Sequence, residues 1–94
     1  MPVKKTIVGE GTDWPFVKQS SWFTDGDFND TNLSKSELTA NTETGFTMVK
    51  YFADDDAYTA WNTTNSTLLQ AINTMRAANS ITTTFSSEDV DTIP

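Results

Sequence analysis

At 94 residues the chain can bury one modest hydrophobic core but not two, so a single domain spanning 1–94 is expected. Hydrophobic residues at 36% and aromatics at 12% supply enough apolar surface to argue against wholesale disorder. Thirteen acidic against six basic residues leave a net charge of −7, which disfavours nucleic acid and anionic lipid, while the absence of Cys and His excludes disulfides, thiol redox chemistry, thiolate metal sites and Ser-His or Cys-His nucleophile activation.

Two lysines near the N-terminus are followed by no apolar run of signal-peptide length, and no window approaches the roughly 20 apolar residues of a membrane span, so a cytoplasmic protein is expected. Val3 to Val8 reads as a strand closed by a turn signal at Gly9 to Gly11. Phe16 to Phe23 reads as a second strand with apolar residues on both faces, and the Asp, Asn and Gly of Thr24 to Asn32 as a surface loop. Ser34 with Glu37 three positions on is a capping-box pattern, which predicts a short helix fading near Asn41 on a thin apolar face of Leu33 and Leu38.

The clearest local signal follows. Phe46, Met48 and Phe52 alternate with Thr47, Val49 and Tyr51 in a strand, and Asp54, Asp55 and Asp56 then supply carboxylates where a helix N-terminus favours them. Trp61, Asn65, Leu68, Ile72 and Met75 form one helical stripe, polar only at Asn65; the poor helix formers between Asn62 and Ser66 predict either two helices or one kinked helix over 54–78. Asn79 reads as a helix C-cap, Ile81 to Phe85 as the last strand and 86–94 as a flexible tail.

Candidate chemistry is sparse. Asp13, Asp25, Asp27 and Asp30 lie in stretches that read as loops, where solvated carboxylates are ordinary, so no catalytic residue is assigned. Asp25, Asp27 and Asn29 alternate as the first ligands of a calcium loop do, but Asp30 stands where the turn glycine would be and Ser36 where the bidentate Glu would be, so no metal site is assigned. Gly9 and Gly11 lack the third glycine of a dinucleotide fingerprint, and no cofactor is expected. Lys4, Lys5, Lys18, Lys35, Lys50 and Arg76 are scattered along the chain and read as solvated surface. The aromatic content remains: Trp14, Trp22, Tyr51, Tyr58 and Trp61 could fill a core, meet a partner or line a small-molecule pocket, with Trp22, Tyr51, Tyr58 and Trp61 the candidate interface or pocket residues.

Gly45 to Asn62, a strand into an acidic-capped helix bearing Ala57, Tyr58, Ala60 and Trp61, resembles the strand-to-helix passage of dimeric α+β barrel proteins, and Leu68 to Phe85 fits the rest of that plan. The resemblance implies an α+β, ferredoxin-like sandwich with an antiparallel sheet of about four strands packed by one or two helices, and a homodimer. Some relatives are cofactor-independent monooxygenases, haem-degrading enzymes or isomerases; without histidine the chain lacks the haem ligand many of them use, so no catalytic position transfers.

These readings converge on a small acidic domain, expected to be non-enzymatic and to self-associate or bind a partner. A small-molecule-binding protein or cofactor-free enzyme of the barrel type is the alternative. Short length, acidity and Thr and Asn richness also fit a small phage or viral accessory or structural protein.

Overall fold

The computed structural model describes residues 1–11, 31–42, 44–78 and 80–94. Among the described residues, three strands, β1 (Val3–Glu10), β2 (Lys35–Thr42) and β3 (Gly45–Phe52), precede two successive helices, α1 (Asp55–Thr64) and α2 (Ser66–Ala78), and a fourth strand, β4 (Thr82–Asp89), follows them. The strands form one antiparallel sheet in the order β2-β3-β1-β4, the ferredoxin-like arrangement that the resemblance implied. The strand read over Phe16 to Phe23, the loop at Thr24 to Asn32, the Asp25, Asp27 and Asn29 spacing, and Asn79 lie outside the described residues.

Register sorts the side chains by face. Val3, Lys5, Ile7 and Gly9 of β1 stand opposite Phe52, Lys50, Met48 and Phe46 of β3, so all eight share one face of the sheet. That face carries the core: Val3, Phe46, Met48 and Phe52 are buried with Trp61, Ile72 and Ile81 from the helical side. Gly9 is required at the crossing, because a Cβ there would sit only 2.1 Å from Phe46 Cε1.

The helical region forms two helices. Asp54 is the N-cap of α1, its carboxylate accepting from the Ala57 amide at 2.8 Å, and Asp55 and Asp56 occupy the first turn. Asn65 separates the helices; it is buried, and its Nδ2 donates to the Trp61 carbonyl at 3.0 Å, which satisfies the one polar member of the apolar stripe. After α2 the Ile81 amide donates to the Arg76 carbonyl at 2.9 Å and the chain reverses through Ser80 in a left-handed conformation, φ 56°.

Two sequence expectations are corrected. Where a helix was expected from Ser34 to Asn41, the chain forms the strand β2 from Lys35: Leu38 pairs with Met48 and Glu37 with Val49, so ladder bonding to β3 overrides a capping pattern whose helix had little apolar surface to bury. The final strand does not end at Phe85. Ser86 to Asp89, read as part of a flexible tail, pair with Thr6 to Val3 of β1, and beyond them the Val90 amide donates to the Pro2 carbonyl at 2.9 Å. No helix among the described residues is long and apolar enough to cross a membrane.

Candidate functional site

The helices do not close flush against the sheet. Between them lies a cleft of about 200 Å³. Its floor is the sheet, with Ile7, Met48, Phe52 and Phe85, and its walls are Trp61 and Tyr58 from α1 and Leu69 and Ile72 from α2. The volume lies above that of a ~150 Å³ cavity able to hold benzene and below the ~300 Å³ at which drug-sized pockets begin, so it suits a molecule of one or two rings.

Aromatic rings set the shape of one wall. Phe52 meets Tyr58 edge-on at 5.2 Å and Trp61 at 5.5 Å, while Tyr58 and Trp61 lie nearly parallel, 6.5 Å apart. Trp61 is the buried residue of α1, and the Asp54 cap that starts this helix fixes where both rings fall. Phe85, opposite, is 54% exposed and so presents an apolar ring at the rim.

Three cations also line the cleft: Lys5, Lys50 and Arg76. The expectation of a solvated surface is wrong for two of them. Lys50 is 5% exposed and Arg76 6%. Lys50 occupies the core-facing register of β3 between Met48 and Phe52; its ammonium donates to Ser36 Oγ at 2.9 Å and lies 5.5 Å from the Trp61 ring centre. Arg76, one turn beyond Ile72 on α2, sets its guanidinium 5.4 Å from the ring of Phe46. Burial, and to a lesser extent the charge of Arg76, push the Lys50 ammonium down to about 8. Burial likewise lowers Arg76.

Lys5 is held at the mouth. Its ammonium donates to Ser87 Oγ at 2.7 Å, pairs with Asp55 at 3.5 Å and sits 4.2 Å over the ring of Tyr58. Asn62 and Asn73 add amide groups to the lining, and no carboxylate stands among the described residues that line the cleft.

Of the aromatic candidates, Tyr58 and Trp61 come together in this cleft. Tyr51 does not: it alternates with Lys50 and Phe52 in β3 and is buried on the side of the sheet away from the helices. Trp22 and Trp14 lie outside the described residues. Sequence reasoning missed Lys50 and Arg76, although a signal was present: Lys50 completes the Phe46, Met48, Phe52 alternation, and Arg76 follows Leu68 and Ile72 at spacings of eight and four. The lining holds neither imidazole nor thiolate, so it does not fit a haem held through such a ligand. The described residues contain no group of three or more His, Cys, Asp or Glu arranged to hold a metal ion.

No protein-family model and no curated protein sequence matches the chain. Two solved structures do. A mutant of SnoaB, a cofactor-independent oxygenase from Streptomyces nogalater, superposes with a TM-score of 0.68 at 13% identity over 98% of this chain and 95% of its own. A mutant of MhuD, crystallised with two manganese protoporphyrin IX molecules per active site, gives a TM-score of 0.62 at 15% identity over 100% of this chain and 98% of its own. Both are dimeric α+β barrel, ferredoxin-like proteins, and at these identities the likeness establishes the fold alone.

Proposed function

We propose that the protein binds a small, largely apolar organic molecule of one or two rings in the cleft between the sheet and the helices. The observation that carries this reading is the cleft itself, floored by Phe52, walled by Tyr58 and Trp61 and left unfilled by the core. The two structural neighbours support it, since one is an oxygenase that works without a cofactor and the other holds small molecules in its active site. A titration with 2-naphthol, followed by amide and aromatic proton shifts, tests it. Saturable shifts at Phe52, Tyr58 and Trp61, abolished when Leu69→Trp fills the cleft, are expected; shifts scattered over the surface, or none, would refute the reading.

A second reading concerns assembly. We infer that two copies associate through the sheet face away from α1 and α2. Successive rows across that face are Glu37, Val49, Thr6 and Ser86, then Thr39, Thr47, Val8 and Thr84, so its centre is made of Thr and Val with few charges. Sedimentation at high micromolar concentration should give a dimer, and Val8→Lys, placing charges near the centre, should give a folded monomer. A wild-type chain that sediments as a monomer there contradicts this inference.

A further inference from the structure

Beyond β4 the chain turns back across the sheet. The Val90 amide donates to the carbonyl of Pro2, which precedes β1, and the carbonyl of Pro94 accepts from Lys35 Nζ at 3.1 Å. Lys35 opens β2, the strand at the opposite edge from β4, so residues 90–94 and the Lys35 side chain together bridge three inter-strand spacings, about 14 Å. Lys35, Tyr51, Lys4 and Glu88 are register partners in one row, and Tyr51 lies on the side of the sheet away from the helices. The bridge therefore runs over this row on the outer face. Burial agrees: Tyr51 is 7% exposed and Val90 and Ile93 are half-buried, yet none of the three belongs to the core on the helical side. Ion pairs between Lys4 and Glu88 at 3.5 Å and between Lys35 and Glu37 at 3.0 Å stand on either side of Tyr51.

We propose that residues 90–94 and a second copy of this chain compete for the outer face of the sheet: the segment closes the Tyr51 row as a strap, and its release opens that row to the second copy. This rests on the reading of that face as the contact between copies and adds what limits it. With the strap in place, the two Thr and Val rows offer a plan area of roughly 260 Å², taking ~4.8 Å between strands and ~6.8 Å between rows, well below the ~800 Å² each partner gives to a stable complex. The Tyr51 row enlarges the patch by about half and brings an aromatic ring, the kind of side chain that dominates interfaces. A hydrogen bond at each end and the half-buried Val90 and Ile93 hold the strap, which lets it open while the sheet stays intact.

Two substitutions release the strap from opposite ends. Ile93→Asp places a carboxylate at its half-buried anchor, and Val90→Pro removes the amide that donates to Pro2. Acetylation by N-acetylimidazole at low micromolar protein, located by peptide mass mapping, reads the strap: in either variant Tyr51 should react about tenfold faster, relative to Tyr58, than in the wild type. Sedimentation equilibrium reads the competition: the dimer dissociation constant should fall about tenfold in either variant, and Val8→Lys added to it should restore a monomer. Tyr51 that stays as protected as in the wild type overturns the strap. Tyr51 that reacts faster while the dimer is unchanged or weaker overturns the competition and leaves the face as the contact between copies. If the wild type and both strap variants are monomeric at high micromolar concentration, the reading of that face as a dimer contact fails as well.

Discussion

Lys50 shows what the site costs the fold. A lysine lowered from 10.5 to about 8 binds its proton less tightly when folded than when unfolded, so between those pH values the unfolded chain holds more protons and stability rises with pH. The sign is opposite to that of a paired lysine. At ordinary pH the buried ammonium detracts from stability by about 3 kcal/mol, taking ~1.4 kcal/mol per pH unit of displacement. Lys50→Met, which keeps most of the length of the side chain and removes its charge, should therefore stabilise the protein at pH 7 by about 1–3 kcal/mol in urea titrations. The difference between wild type and variant should shrink as pH rises from 8 to 10.5. A variant that is less stable at pH 7, or whose difference from wild type does not change with pH, would contradict this assignment. Residues kept at such expense are expected at functional positions rather than structural ones.

The elements divide according to whether their signals are local. The start of α1 was legible because Asp54 acts on its own backbone neighbour, the Ala57 amide, through contacts four residues wide. β3 was legible for a similar reason, its alternation of large apolar residues, interrupted only at Lys50, leading into the acidic cap. β2 was not, because Ser34 and Glu37 mimic a helix start while the partner that decides the matter, β3, becomes apparent only once the sheet is assembled. β4 is exposed along its length, so no apolar pattern marks how far it runs; pairing with β1 carries it to Asp89. Lys50 and Arg76 were hidden by their own chemistry, since a charged side chain reads as solvated unless its neighbours in the strand or helix period are considered with it. Two substitutions at helix ends test the local account with opposite signs. Asp54→Ala should lower stability by about 1 kcal/mol, through loss of the cap. Ser80→Gly should raise it by roughly 0.5–1 kcal/mol, because φ 56° strains a residue with a Cβ. Chemical denaturation resolves both, and two shifts of the same sign would show that the helix ends are held by something other than these local contacts.

At the scale of the whole molecule, one sheet separates two kinds of surface. The face toward α1 and α2 carries the core and a cleft with aromatic walls and buried cations; the opposite face carries rows of Thr and Val whose proposed role is to meet a second copy. The fold that creates this division is shared with the two barrel proteins. The most direct test is to locate a bound ligand. In a sample saturated with 2-naphthol, intermolecular NOEs should connect the naphthalene protons to the rings of Trp61 and Phe52. NOEs to Val8, Thr47 or other residues of the opposite face, with none to Trp61, would contradict the placement of the site between sheet and helices.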